Sequence, residues 1–532
     1  SMGIYVFDLA WLSEALRGDG SDFGHHLLPE AVRRGDAFCH IAEDAAGKPN
    51  VVLILADDLG FSDISPYGAE VQTPNLQRLA DEGLRFTQMH NTSKCFPSRA
   101  CLLTGVYAQQ CDMWRRNGDI NHAITLGEAL QTAGYLTIAV GKHHGTENLY
   151  RRGFDHYYGL RGGATNYFNP GNRRPFDPGD PALKKARMWC FDEAMVQPYT
   201  PEDPDFYTTD TFTDWAIELL GEHEADQRPF FLYLAYNAPH DPLHAWPEDI
   251  QKYEGVYDEG YAAIRTARYR RQLESGLLDA SQYPLSAADH RQWDQLSEDE
   301  KADQVRRMQV YAAMIDRMDQ NIGRLLETLR SQDRLDNTLV LFASDNGASA
   351  EVVRIGSGPI GSMTRWASLE GDWANVGNTP FRRYKNHSFE GGICTPMIAW
   401  WPGVIGPGRV TDFPSHFIDL MPTLVDLAGA TYPSQHDGKP VVPMQGVSLR
   451  PVFEDQDVRR DKPMHWQWGK GKAVRHDGWK LIQQGGGPWE LYHMPTDATE
   501  TRDVATVHPD KVKELTRDWQ QWWDQTASYR EH

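Results

Sequence analysis

Asp57 and Asp58 stand side by side directly after the apolar run VVLILA, and Asp345 with Asn346 takes the same place after TLVLFAS. Three carboxylates and an amide are hard oxygen donors, which suit Ca²⁺ or Mg²⁺ better than zinc, whose usual ligands are His and Cys. Cations accompany them: Arg99 in KCFPSRACLLTG, Lys142 in GKHH and Lys385 in FRRYKNHSFEGG. A metal beside Arg and Lys can hold a tetrahedral anion and neutralise the charge that develops as it is transferred. His144 and His240 add imidazoles that titrate near neutrality and suit general acid and base work. Singly, each of these groups is ambiguous, because Asp and Asn are ordinary turn residues and most lysines are simply solvated. What singles out Asp57, Asp58, Lys142, His144, His240, Asp345 and Asn346 is their shared place directly after strands.

Cys95 raises a separate question. It stands just outside what reads as the start of a helix, ahead of a proline and with Arg99 one turn on, and a helix N-terminus favours a reactive thiolate. Thiolate nucleophiles ordinarily work with a histidine partner and an oxyanion hole on acyl groups. Here the neighbours are metal-type ligands and cations, which fit sulfuryl or phosphoryl groups, and a thiol matches those poorly.

The elements that must carry these residues read as strand, loop and helix in alternation. Residues 51–56, 135–140, 230–236 and 338–344 are continuous apolar runs, the mark of strands buried on both faces of a parallel sheet. TPNLQRLADEGLRF reads as a helix with Thr73 as cap, Pro74 at its first position and Gly83 at its end. Tyr311, Ile315, Met318, Ile322, Leu325, Leu326 and Leu329 repeat at helical spacing ahead of the fourth strand. This alternation predicts a doubly wound α/β sheet, in which ligands bind beyond the carboxyl ends of the strands. Further on, a helix over SHFIDLMPTLVDLAG precedes the short strands KAVRHDGWKLIQ and PWELYHM and a Trp-rich last helix, which predicts a small antiparallel subdomain. The boundaries expected are an extension over 1–47, a catalytic domain over 48–445 and a C-terminal subdomain over 446–532.

Composition narrows the function. The chain has 532 residues and a net charge of −21, from 53 basic and 74 acidic residues, which opposes general affinity for nucleic acid or anionic membranes. Its longest uncharged stretch, GGICTPMIAWWPGVIGPG, holds three prolines and five glycines and does not read as a membrane span. Six cysteines without a CxxC pair argue against a disulfide scaffold or a thiolate zinc site and leave an isolated disulfide open. The first residues lack a secretory signal, so the expected compartment is cytoplasmic as written, and periplasmic or secreted if a leader was removed.

CFPSRACLLTG fits the C-x-P-S-R-x-x-x-x-T-G signature of the sulfatase family, whose cysteine is oxidised after translation to formylglycine. A chance C-x-P-S-R in a chain of this length is on the order of one in a thousand. PNVVLILADDLG, TPNLQRLADEGLRF, GKHH, NAPHDPLHAW, SDNG, YKNHSFEGGICTP, HFIDLMPTLVDLAGA and WELYHMPTDATE also resemble sulfatase segments, in sulfatase order, from about residue 49 to the C-terminus. The resemblance implies an alkaline-phosphatase-like fold, a large mixed and mostly parallel sheet sandwiched by helices with a small antiparallel sheet at the C-terminal end. It implies one Ca²⁺ held by Asp57, Asp58, Asp345, Asn346 and the modified Cys95. Arg99 and Lys142 would then orient the formylglycine and sulfate, His144 would serve the hydrated aldehyde, and His240 with Lys385 would face the leaving oxygen. His143 and His493 depart from the family pattern, where an aromatic residue and Asp are usual. SMGIYVFD and SDFGHHLLPE, by contrast, resemble an internal fragment of glucose-1-phosphate adenylyltransferases without its nucleotide loop, so the segment 1–47 is expected to be non-catalytic.

The function expected is hydrolysis of an aryl or carbohydrate sulfate, after maturation by a formylglycine-generating enzyme. Two alternatives stand beside it: a phosphonate or phosphate ester hydrolase using the same group, and a non-enzymatic anion-binding relative with Cys95 unmodified. Trp246, Trp373 and Tyr384 are candidates to stack on a sugar or aryl ring. The acidic composition favours a small or lightly sulfated ester over a polyanionic glycan; the oligomeric state is open.

Overall fold

The computed structural model describes residues 47–226 and 228–530. From Pro49 onward the described residues form one compact unit; the expected extension lies, but for Gly47, outside the described residues.

Each apolar run forms a strand. β1 (Asn50–Asp57), β3 (Leu136–Gly141), β7 (Phe230–Pro239) and β8 (Thr338–Ser344) are buried along their whole length. The other strands of the same sheet are β2 (Leu84–His90), β4 (His156–Leu160), β5 (Trp189–Phe191), β6 (Ala194–Val196), β11 (Cys394–Trp400), β12 (Arg409–Thr411) and β13 (Ser415–His416). A separate ribbon pairs β9 (Ile355–Gly356) with β10 (Arg365–Trp366). The large sheet runs β12-β2-β11-β8-β1-β7-β3-β4-β5-β6, and β13 also pairs with β2. Its centre, β8-β1-β7-β3-β4, is parallel. β11 enters antiparallel between β2 and β8, and β5 and β6 turn back at the far edge.

Alternation along β1 shows why both faces are apolar. Val52, Ile54 and Ala56 join one core with helices Thr208–Glu222 and Glu298–Ser331. Val51, Leu53 and Leu55 join the other with helices Cys95–Thr104 and Leu420–Ala428. Because neighbouring central strands run the same way, their carboxyl ends share one edge, where Asp57, Lys142, His240 and Asp345 arise.

Beyond the ribbon β14 (Gln435–His436) with β15 (Lys439–Pro440), the chain forms the antiparallel sheet β16 (Met464–Trp468), β17 (Gly471–His476), β18 (Trp479–Gln484) and β19 (Glu490–His493). Helix Pro509–Gln525 buries Leu515, Trp519 and Trp522, and the Trp519 indole N–H donates to the Trp466 carbonyl at 3.0 Å.

Two local expectations change. Thr73 precedes helix Pro74–Asp81 without capping it: its hydroxyl accepts from the Ser65 N–H at 2.9 Å, and Asp319 accepts from the N–H groups of Asn75 (3.0 Å) and Leu76 (2.8 Å) instead. Cys95 lies inside the first turn of its helix, after Lys94 as the N-cap residue.

Candidate active site

At the end of β1 the chain turns through Asp58, whose φ of 66° is left-handed, a region Asp tolerates through local hydrogen bonding. The turn is held from both sides. The Asp58 N–H donates to Asp345 Oδ1 at 3.3 Å, and the Tyr311 hydroxyl lies 3.0 Å from the Asp58 carbonyl and 2.9 Å from Asp63 Oδ2. After β8, Asn346 Nδ2 donates to Asp58 Oδ1 at 2.7 Å.

Asp58 gathers the rest. Lys385 Nζ lies 2.7 Å and 2.8 Å from its two oxygens, His240 Nε2 3.5 Å from Oδ2, and Cys95 Sγ 3.9 Å from Oδ1. Asp57 is bonded by Lys142 Nζ. Arg99 reaches back from the cysteine helix, donating from Nε to Asp345 Oδ2 at 2.8 Å and from a terminal nitrogen to the Lys142 carbonyl at 2.6 Å. Its other terminal nitrogen lies 3.8 Å from Asp57 Oδ1 with no hydrogen-bond partner. The ten residues singled out in the sequence therefore converge. Asp57, Asp58, Arg99, Lys142, Asp345, Asn346 and Lys385 form a buried layer, and Cys95, His144 and His240 line a cleft of about 380 Å³.

Charge decides how these groups titrate. Burial pushes Asp57 and Asp58 up, but Lys142 and His240 on the first, and His240 and Lys385 on the second, hold both below the usual range. Asp345 goes the other way, pushed up to about 6 by burial and by the Asp57 charge. Burial alone would lower His240; the Asp58 and Asp57 carboxylates raise it well above the ordinary imidazole value. Its Nδ1 lies 2.9 Å from Asp241 Oδ1. His144 is held well below by burial and the Lys142, Arg99 and Lys94 charges. Two imidazoles at one cleft are thus driven apart in basicity, the usual basis for dividing acid and base roles.

The residues fit a hard divalent cation. Asp57 Oδ1 and Asn346 Oδ1 are buried with no hydrogen-bond partner. Donor atoms of Asp57, Asp58, Cys95 and His240 lie within 4.8 Å of one another. Orphaned, crowded oxygens are what such an ion would satisfy. His240 falls within this set, whereas both Asp345 oxygens are engaged by Arg99 and the Asp58 N–H.

Several residues escaped sequence reasoning. Asp241 orients His240, and Ser368 donates to it at 2.5 Å. Tyr311, one of the apolar stripe, holds the Asp58 turn. Lys94 bonds Glu351 at 2.5 Å at the mouth of the cleft. Only Asp241 carried a signal, as the neighbour of His240. The stacking candidates lie elsewhere: Trp373 is fully buried against Tyr261, Trp246 packs edge-on to Phe168, and Tyr384 packs against His387. None lines the cleft at Cys95. Cys95, Cys101, Cys111, Cys190 and Cys394 are all unpaired thiols, so no disulfide joins cysteines among the described residues.

Comparison with known proteins identifies the family. The sulfatase family model matches residues 49–430, and the C-terminal model of N-sulphoglucosamine sulphohydrolase matches residues 382–525. An uncharacterized sulfatase of Schizosaccharomyces pombe is 34% identical, over 89% of this chain and 93% of its own. An arylsulfatase of Klebsiella aerogenes is also 34% identical, over 76% of this chain and 92% of its own. The crystal structure of Ps i-CgsB with k-i-k-neocarrahexaose aligns with a TM-score of 0.65 at 26% identity, covering 89% of this chain and 92% of that one. Neither family model reaches residues 1–47, and nothing supports the adenylyltransferase likeness of that segment. The chain belongs to the sulfatase family and is a sulfuric ester hydrolase of alkaline-phosphatase-like fold.

Proposed function

We propose that this enzyme hydrolyses an aryl or carbohydrate sulfate monoester to its alcohol and inorganic sulfate, through a formylglycine made from Cys95 and one calcium ion. Asp57, Asp58, Asp345, Asn346 and the modified Cys95 would hold the ion. The observation that carries the reading is the placement of Cys95, in the first turn of a buried helix, 3.9 Å from the most heavily engaged carboxylate of the site. When formed, the hydrated aldehyde supplies a hydroxyl nucleophile and the ion a Lewis acid for the sulfate oxygens.

The chain's own residues do the remainder. Arg99, fixed by Asp345 and the Lys142 carbonyl, keeps one terminal nitrogen free to donate. Lys142 and Lys385 bring positive charge to where the transferred group gains negative charge. His240, positioned by Asp241, offers its proton to the leaving oxygen; His144, held neutral by burial and neighbouring cations, accepts one. Water enters once per turnover and one proton is released with sulfate.

Cys95 is 1% exposed, so a formylglycine-generating enzyme would have to reach it before the chain folds. The test is the mass of the tryptic peptide from Cys95 to Arg99, from a host able to mature sulfatases. An aldehyde or its hydrate is expected in place of the thiol. A thiol in protein that hydrolyses 4-nitrophenyl sulfate would overturn the formylglycine reading.

A further inference from the structure

We propose that the substrate carries a second anionic group, a sulfate or a carboxylate on its alcohol portion, held by Arg187 with Lys184 and Lys185. This rests on the sulfatase reading and adds a substrate class to it. The reacting sulfate is already served by Arg99, Lys142 and Lys385, so further cations in the cleft exceed what one ester needs.

They are there in number. Arg187, Lys184 and Lys185, with Arg116, line the same cleft as Cys95, His144 and His240. Consecutive glycines tie the two sets together. A Cβ added at Gly163 would lie 2.8 Å from His144 Nε2, and one at Gly162 would lie 2.9 Å from Arg187 Cδ. Adjacent Cα atoms are about 3.8 Å apart, so the Arg187 stem and the His144 ring flank neighbouring residues, and larger side chains there would intrude on both.

Arg187 is a half-buried cation without a counter-charge. Its Nε donates to the Ala164 carbonyl at 3.1 Å, and its terminal nitrogens bond to no other described residue. Burial lowers its pKa with nothing to offset it. A partly desolvated guanidinium fork with free nitrogens is matched by a carboxylate or sulfate. Lys184 Nζ sits 4.9 Å over the Trp366 ring, close enough to Asp241 to help hold that carboxyl down at about 2. Lys185 is exposed. Glu351, the one carboxylate lining the cleft among the described residues, already has Lys94 at 2.5 Å and Lys385 at 3.9 Å. On a chain with net charge −21, such a cluster is no by-product of a basic surface. Local charge here opposes the composition, from which a lightly sulfated ester was expected.

The experiment is calorimetric titration of the Cys95→Ala variant, which cannot turn over, with three sugars: N-acetylglucosamine 6-sulfate, glucosamine 2-N,6-O-disulfate, and glucuronic acid 2-sulfate as the carboxylate arm. At least one doubly anionic sugar is expected to bind about tenfold tighter than the singly charged one, a preference that shrinks as salt is raised. Which arm binds tighter identifies the second group. Adding Arg187→Ala, or Lys184→Ala with Lys185→Ala, should remove the preference; the lysine pair is exposed, so its loss does not threaten folding. Equal affinity for all three sugars, absence of binding, or a preference untouched by both variants would overturn the proposal. Sulfate release by the wild type from these sugars or from 4-nitrophenyl sulfate reports separately on the sulfatase reading. Hydrolysis without the preference sinks only this inference, and the preference without hydrolysis sinks only that reading.

Discussion

At the scale of single residues the site is organised around one carboxylate. Asp58 accepts from Asn346 and Lys385 and lies against His240 and Cys95, so its loss leaves buried Lys385 with Glu351, 3.9 Å away, as its remaining ion-pair partner. Removing one member of a buried pair costs about 3–5 kcal/mol. Asp58→Asn is therefore expected to lower the urea midpoint sharply, whereas Lys94→Ala, at the edge of the cleft, should lower it far less. Equal shifts in the two variants would show that Asp58 is not the hub. Metal dependence gives a second test. Calcium chelation is expected to abolish hydrolysis of 4-nitrophenyl sulfate, and excess calcium to restore it. Asp57→Asn, which alters the orphaned-oxygen carboxylate, should raise the calcium needed for half-activation at least about tenfold. Full activity in chelator would count against the oxygen cluster as a metal site.

At the scale of elements, precision comes from loops clamped between strands. Gly347 follows Asp345 and Asn346, and a Cβ there would lie 1.9 Å from the Gly391 carbonyl and 2.8 Å from Asn378 Oδ1. Backbone cannot move aside as a flexible side chain can, so Gly347→Ala should displace Asp345 and Asn346. It is expected to destabilise by about 1–3 kcal/mol and to weaken calcium activation more than a stability loss of that size explains; an unchanged calcium requirement would refute the clamp. How much of this was legible in the sequence follows from the same elements. β1, β3, β7 and β8 were readable because strands buried on both faces are unbroken apolar runs, and the residues after them then became candidates. β2 was not, although fully buried, because LRFTQMH contains Arg85, Gln88 and His90. The partners of the last two, Tyr283, Arg475 and Glu390, lie hundreds of residues away. Lys385 sits on a loop whose place no periodicity reports; it could be named as a cation, but only the resemblance of YKNHSFEGGICTP to a sulfatase segment gave it a role. Tyr311 was hidden by its own success as a core residue, since the ring that packs and the hydroxyl that holds Asp58 belong to one side chain.

At the scale of the whole unit, the C-terminal sheet meets the large sheet through buried charge. Lys480 on β18 lies 2.6 Å from both Glu390, just before β11, and Glu500, beyond β19, and the Glu390 N–H donates to Glu500 at 2.8 Å. One lysine cannot fully satisfy two buried carboxylates. Glu390 also has His90 at 2.9 Å and stays low. Glu500 is pushed up to about 7 by burial and then by the Glu390 charge, from a usual value of 4.5. Between those values the folded chain holds a proton that the unfolded chain has released. The stability this gives is fully present below about pH 4.5 and is lost as pH rises through about 7, a change of about 3 kcal/mol. Glu500→Gln cannot lose that proton. The urea midpoint of the chelated protein should therefore fall between about pH 5 and 7.5 more steeply in the wild type than in Glu500→Gln, while groups common to both cancel in the comparison. Parallel slopes would mean that the two carboxylates are both ionised in this window, and that the join between the sheets tolerates a second buried negative charge.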